Sequence, residues 1–469
     1  MKELVLVIGT LDTKGPEVAY LRDKLKEYGL NPYVIDVGIL GEPVGITPDF
    51  SKSQLAQFGG TTIEKVQNAG SRGAAVEQMR EFVVKKVEEM VSHNEVAGAI
   101  GIGGAEGVVM TAAALMALPI GAPKIVISPI ASGKHEFAPL VGTTDMMTMH
   151  SIVDILGLND ISKTIFDNAA AAVYGMLQKG HQLQKPKPGT KAVAVTMLGN
   201  TNTAITAMQP LMKEKGYELV VFHANGVGGP AMEELAEAGQ FVGIIDFTTN
   251  EMAANLVGGI HVANENRLKV AGRLGIPQVV VPGCVDFVVF HANTVPDNLK
   301  ARPLYNHNPE YWLVRLDGTE MEKLGKKFAD SLNEAKGAVK VAIPTKGISI
   351  PNKPGGVFFD PVADKRFMDQ MKNTLRKDIE VLEKTIGNGS EITTRFRRII
   401  TEVNGSRDLS TISDFVNNRL EVMDSRALRK YITTITPDLD LTFQHTYPIS
   451  GETEALRIPF GFDFFYPTE

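Results

Sequence analysis

Short apolar runs rich in valine and isoleucine alternate along this chain with stretches whose apolar residues recur every three or four positions. That is the rhythm of strand–helix units built around parallel sheets. Residues 3–9, "ELVLVIG", predict a first strand. In "PEVAYLRDKLKEYG" (16–29), Val18, Leu21 and Leu25 share one helical face, with Pro16 suited to the first turn and Gly29 to the stop. "YVIDVGI" (33–39) predicts the second strand, and 73–93 a helix carrying Val76, Met79, Val83, Val87 and Met90 at helical spacing. A buried strand at 96–104, a helix at 105–118 and a strand at 123–131 complete this half.

Residues 180–191, "GHQLQKPKPGTK", are polar and broken by Pro186 and Pro188, a linker composition. After it the pattern restarts, with strands at 191–200, 217–226, 242–249 and 277–283 and helices at 203–216, 230–239 and 262–275. The restart echoes the beginning: strand, "GTLDT" (9–13), helix in the first half; strand, "GNTNT" (199–203), helix in the second. A divergent duplication and the chance likeness of two such units both account for this. "KDIEVLEKTI" (377–386) predicts a closing helix, after which the rhythm stops in a Thr-, Phe- and Tyr-rich remainder: a small module, an arm packed on another subunit or an appended segment. The expected organisation is therefore α/β, with two Rossmann-like domains at 1–184 and 191–385, parallel sheets flanked by helices, and a C-terminal extension of unknown fold at 386–469.

In such sheets ligands bind beyond the carboxyl ends of the strands, where loops meet helix N-termini. The loop after the first strand offers Gly9 for a tight turn, the hydroxyls of Thr10 and Thr13, Asp12 for a hydrated cation and Lys14 as a point charge, a set suited to a phosphate and its Mg²⁺. Asp12 or Thr13 would alternatively cap the helix. The loop is not a Walker A motif, since Gly15 follows Lys14. A second loop, "GIGGAEG" (101–107), places Gly103, Gly104 and Gly107 where main chain can approach a pyrophosphate, although the same glycines would serve close helix-to-sheet packing. Glu106 occupies the place where a dinucleotide fingerprint needs glycine, so a dehydrogenase using a dinucleotide is the least supported of three readings. Ser128 and Ser132 of "SPIASG", with Thr143, Thr144 and Asp145 of "VGTTD", are candidates to complete the pocket; Asp145 would alternatively cap a helix in "MMTMHSIVDILG". In the second half His223, Asp286 and His307 are the acid–base candidates. Cys284 is either a nucleophile partnered by His307 or a small core residue.

Composition narrows this little further. With 469 residues, 43% hydrophobic and 22% charged, the chain is long enough for two cores. A net charge of −6 and no long basic run argue against nucleic acid. One cysteine builds neither a disulfide nor a thiolate metal cage, which points to a reducing, cytoplasmic setting. No apolar run has membrane-spanning length, and the N-terminus lacks a signal-peptide pattern.

The ordered motifs "GTLDTKGPE", "GIGGAEG", "SPIASG", "VGTTDMM", "VFHANGVGGPAMEEL", "DFTTNEMA", "GIPQVVVPGCVDFV", "HNPE" and "PGGVFFDPVAD" carry a resemblance that runs to about Lys384. The chain resembles the uncharacterised family that includes the N-terminal ATP-binding domain of the tomato mosaic virus resistance protein. That resemblance implies paired Rossmann-like subdomains, with ATP bound in the first by Thr10, Asp12, Thr13 and Lys14 and by Gly103, Gly104, Glu106 and Gly107. Inhibition of a viral replication protein, a property of the plant relative, is not carried over. The expectation is an ATP- and Mg²⁺-binding protein, with Asp12 on the metal, acting on a small molecule between its domains and assembling as a homodimer. A nucleotide-gated module that binds another protein without turnover remains the alternative.

Overall fold

The computed structural model describes residues 4–132, 138–181, 183–184, 186–187, 189–344, 347–382, 396, 400–420, 423–424, 427–428, 430–431, 442–446 and 453–457. Its first α/β layer runs β1 (Leu4–Gly9), α1 (Leu11–Glu27), β2 (Asn31–Asp36), α2 (Lys52–Phe58), α3 (Ile63–Gln67), α4 (Arg72–Ser92), β3 (Val96–Ile102), α5 (Ala105–Met116), β4 (Lys124–Ser128), α6 (Ala138–Val141), β5 (Met147–His150) and α7 (Asp160–Lys179). The second runs β6 (Ala192–Met197), α8 (Asn202–Glu214), β7 (Glu218–His223), α9 (Gly228–Glu237), β8 (Gly243–Thr248), α10 (Asn250–Val257), α11 (Val270–Leu274), β9 (Gln278–Gly283), β10 (Phe287–His291), β11 (Leu304–Asn306), β12 (Tyr311–Arg315), α12 (Gly318–Asn333), β13 (Val339–Ala342), α13 (Pro361–Thr374) and β14 (Glu380–Leu382).

Both main sheets are parallel and share one strand order. The first reads β2-β1-β3-β4-β5, and the second, β14-β13-β9-β8-β6-β7, is the same 2-1-3-4-5 order extended by a sixth strand. The chain is thus α/β with two Rossmann-like sheets. Burial explains the continuous apolar runs. In β1, Leu6 and Ile8 pack with Leu55, Met79, Val83 and Leu115 on one face, while Val5 and Val7 pack with Val18, Leu21, Phe166 and Val173 on the other. A strand covered on both sides shows no polar alternation. In this order the switch point lies between the first and third strands, at the carboxyl ends of β1 and β3 and again of β6 and β8.

A separate antiparallel sheet, β10-β12-β11, is inserted after β9. Its period of two divides β10 cleanly. Val288 and Phe290 enter the main core with Val314, while Phe287 and Val289 join Leu198, Leu313 and Phe358 in a smaller cluster.

Four sequence expectations are corrected. Of 262–275 only Val270–Leu274 is helical, because 262–264 are irregular and 265–269 turn around the buried Arg267. Of 377–386, Glu380–Leu382 form a strand that pairs with β13, the rest after Leu382 lying outside the described residues. Asp145 caps no helix: the residues after it form β5, and its carboxylate pairs at 2.7 Å with the buried Lys124 Nζ and accepts from Gly121 N–H at 2.8 Å. Neither Asp12 nor Thr13 caps α1, whose N-cap is Thr10 without a side-chain bond.

The residues from Lys384 onward form a separate compact unit. Its described parts include a helix at Leu409–Asp414 and an antiparallel pair, Thr442–Thr446 with Thr453–Arg457. Among the described residues no helix is long and apolar enough to cross a membrane.

Candidate functional site

Two clefts lie at the carboxyl ends of the two parallel sheets. The first, about 500 Å³, sits at the switch point and is lined by Thr10, Asp12, Thr13 and Lys14 after β1 and by Gly104, Glu106 and Gly107 after β3. Ile39, Leu40, Val76 and Met110 supply apolar walls, and Gln67 and Arg72 complete the rim.

Local geometry positions these groups. The first turn of α1 is interrupted at Lys14 (φ −125°, ψ 17°), so the regular helix resumes beyond Gly15 with Pro16 near its start. A Cβ on Gly15 would overlap the Val44 carbonyl, and Val44 N–H donates to Leu11 O at 2.9 Å. The 37–45 loop is thereby laid over the beginning of α1. Asp36, buried at the end of β2, accepts from Leu11 N–H at 3.1 Å and Gly38 N–H at 2.8 Å through Oδ1. Burial pushes its pKa up, against those two bonds. Asp12 Oδ2 accepts from Gly41 N–H at 3.2 Å, Thr10 and Thr13 hydroxyls lie 3.0 Å apart, and Lys14 Nζ donates to Ile155 O. Across the mouth Glu106 pairs with Arg72 at 2.7 Å. The N-termini of α1 and α5 both carry no side-chain cap.

Gly9 and Gly103 stand apart from the cleft and serve packing. A Cβ on Gly9 would come within 2.9 Å of Val18 on α1, and one on Gly103 within 2.5 Å of Val108 N. Ser128, Ser132, Thr143 and Thr144 also lie elsewhere. Ser128 is buried at the end of β4. Thr143 donates to Glu234 on α9 at 2.6 Å, and with Thr144 it lines a different hollow between the two α/β layers.

The second cleft, about 420 Å³, lies within the second layer and not between the layers. Its floor is the alternating face of the inserted sheet, Phe287, Val289 and His291 from β10 with Tyr311 and Leu313 from β12. Gly199 and Asn200 after β6, and His223 and Asn225 at the end of β7, face that floor. His261 and His307 complete it, so four of the chain's nine histidines line one cavity. Asp286 is not among the lining residues. It is fully buried behind them, accepts from Ser349 Oγ at 2.7 Å, and burial raises its pKa to about 6 against the pull of Arg315. Cys284 is a buried core residue absent from the cleft lining, and burial raises its thiol pKa well above the usual range, which suits a core residue rather than a nucleophile.

Beneath this cleft Arg267 is buried among Asp246 and Glu251, each at 2.6 Å, and Glu233 at 3.3 Å. Burial lifts Glu233 to about 8 against the attraction of Arg267. Glu251 Oε1 accepts from Gly226 and Gly229 N–H at 3.0 and 3.1 Å, which ties the loop carrying Asn225 to the ionic cluster.

Sequence reasoning missed Asp36, Gln67 and Arg72, for which no motif speaks. It also missed His261 and His291. For His291 a signal existed, since "FHAN" occurs at 222–225 and again at 290–293.

Comparison with known proteins agrees with this two-layer architecture. The models of the uncharacterised protein family UPF0261 match twice, the N-terminal domain over residues 3–182 and the C-terminal domain over 190–388. A UPF0261 protein of Clostridium tetani is 38% identical over 386 residues, covering 82% of this chain and 94% of its own length. The ToMV resistance protein Tm-1(GCR237) of Solanum lycopersicum is 33% identical over 406 residues, covering 81% of this chain and 53% of its own, so this chain matches about half of the plant protein. Among solved structures the S. aureus MnaA–UDP co-structure covers 86% of this chain and 98% of its own at 11% identity with a TM-score of 0.21, too distant a superposition to speak to a ligand.

Proposed function

The chain belongs to the uncharacterised protein family UPF0261, and for a member with this first cleft we propose an ATP-binding protein that uses Mg²⁺ and acts on a small molecule held in its second layer. The observation that carries the reading is the meeting of Thr10, Asp12, Thr13 and Lys14 with Gly104, Glu106 and Gly107 at the switch point of the first sheet. Two uncapped helix N-termini favour an anion there. A cleft of about 500 Å³ has the size of a nucleotide pocket, with Ile39, Leu40, Val76 and Met110 as the apolar wall for a base. Asp12 suits Mg²⁺, which takes one or two carboxylates and completes its shell with phosphate oxygens and water. Lys14 keeps two further N–H donors beyond the one given to Ile155 O. The Arg72–Glu106 pair at the mouth balances the Glu106 carboxylate.

An enzyme is favoured over a gated protein-binding module because the second cleft gathers imidazoles in a concave pocket, where a protein partner would need an open surface. The buried thiol of Cys284 accords with a reducing, cytoplasmic setting.

Melting temperature tests the nucleotide directly, since a ligand of the folded state alone raises it. Mg-ATP is expected to raise it and NAD to leave it unchanged. Lys14→Ala is expected to remove the shift, and Asp12→Asn to remove its dependence on Mg²⁺. No shift with Mg-ATP, or an undiminished shift in Lys14→Ala, overturns the reading.

A further inference from the structure

The second cleft holds one imidazole in a single protonation form. Asn250, the first residue of α10, is fully buried, and its side-chain amide donates to Cys284 O at 2.8 Å and to Phe287 O at 2.6 Å. Those two carbonyls use both amide hydrogens and fix which way the amide points, because the flipped amide would set its oxygen against two acceptors. Asn250 Oδ1 therefore accepts, and its partner at 2.7 Å is His261 Nδ1. The proton of the neutral ring must sit on Nδ1, which leaves Nε2 as a lone pair on a residue that lines the cleft.

Backbone features hold this arrangement. Gly259 has φ 109°, and a Cβ there would come within 2.5 Å of Val289 O. Ile260 N–H donates to Val289 O at 2.8 Å, so the loop carrying His261 is fastened to β10. Cys284, a non-glycine residue at φ 61°, turns the chain between β9 and β10 and presents its carbonyl to Asn250.

We propose that the second cleft is a binding site for a small hydroxy-acid, in which His261 Nε2 accepts the hydrogen bond of the substrate hydroxyl and Asn250 positions the ring. No Asp, Glu, Lys or Arg is among the described lining residues, so the cavity neither repels a carboxylate nor offers the fixed cations a polyphosphate calls for. Asn200, Asn225 and Asn308 can hold carboxylate and hydroxyl oxygens, and Phe287, Val289 and Leu313 meet the carbon chain. The substrate hydroxyl donates to Nε2, and the ring keeps its Nδ1–H on Asn250. Burial, and then the neighbouring His223, lower the His261 pKa to about 4, so Nε2 stays an unprotonated acceptor throughout the neutral range. The titratable groups lining the cavity around it are His223 from β7, His291 from β10, His307 from the turn between β11 and β12, and Tyr311 from β12. This inference rests on the small-molecule part of the proposed function and not on the nucleotide.

Diethyl pyrocarbonate, which acylates an unprotonated imidazole nitrogen, tests it on the full chain with modified peptides read by mass spectrometry. At about pH 5 an ordinary histidine is almost entirely protonated. His261 is expected to react there while an N-acetylhistidine standard does not, and Asn250→Asp is expected to move the His261 midpoint up towards that of the standard. His261→Gln confirms the peptide assignment. Members of a panel of hydroxy-acids are expected to protect His261, whereas Mg-ATP and inorganic phosphate are not. A His261 midpoint equal to that of the N-acetylhistidine standard, or no protection by any acid of the panel, overturns the proposal. Failure of the nucleotide reading shows separately, as a missing melting shift with Mg-ATP.

Discussion

At the scale of single residues the buried charges of the second layer have a measurable consequence. Glu233 holds its proton to about 8 in the folded chain, whereas its ordinary value is 4.5. The folded state therefore binds more proton than the unfolded state between those values, and stability contributed by the neutral carboxyl is lost as pH rises through 8. His261, lowered from 6.5 to about 4, acts the other way, its contribution being complete above 6.5 and lost as pH falls. Asp286, near 6, has finished titrating below that point. Between about pH 6.5 and 8 Glu233 thus dominates these three, with a slope of at most about 1.4 kcal/mol per pH unit. Glu233→Gln keeps an acceptor for Leu268 N–H, which donates at 2.7 Å. Urea unfolding across that window should show the wild type losing stability with pH and the variant flattened, whatever constant offset the substitution brings. An equal slope in both would place the proton elsewhere.

At the scale of elements, α1 shows how a sequence signal can be right in kind and displaced in detail. Pro16 was legible as a first-turn residue, and it does stand near the start of the regular helix, but a separate turn from Leu11 precedes it and the interruption falls at Lys14. That turn exists because Leu11 N–H is taken by the Asp36 carboxylate and Gly15 lies against the Val44 carbonyl, contacts across some 25 to 30 residues that no local pattern encodes. The same limit explains the other misses. Glu380–Leu382 reads as amphipathic helix yet pairs with β13, and residues 262–269 have helical spacing yet are irregular to 264 and then turn around Arg267. What was legible is what depends on period alone: the doubly covered strands, the flanking helices, and the two loops that meet in the first cleft. His261 was not legible, because its role arises from Asn250, whose amide is oriented by carbonyls 34 and 37 residues away. Gly15→Ala tests the α1 junction. It should destabilise the chain by roughly 1–3 kcal/mol, as overpacking does, and weaken the Mg-ATP melting shift, because the displaced 37–45 loop carries Ile39 and Leu40 of the cleft. A variant with unchanged stability would mean that the loop does not rest on α1.

At the scale of the whole molecule the question is which part of the chain the clefts require. Contacts gather Met1–Glu383 into one unit and Lys384–Glu469 into another. The described residues that line the two clefts belong to the first of them. The family match ends near the same place, at residue 388, and the Clostridium tetani relative is covered over 94% of its length by an alignment of 386 residues. The boundary cannot be moved much earlier: Ile343 N–H donates to Leu382 O at 3.0 Å, and Ile379 lies in the large core with Val341 and Phe367. A chain ending at residue 388 should therefore melt in one cooperative transition within a few degrees of the corresponding transition of the full chain, and should keep both the Mg-ATP shift and the low-pH reactivity of His261. A chain ending at residue 376 loses the sixth strand and the Ile379 contact, and should melt lower by the roughly 2–5 kcal/mol that large buried side chains contribute. Calorimetry on the three lengths decides the matter. If the 388-residue chain unfolds or loses either ligand response, residues beyond 388 are required for that fold or that response.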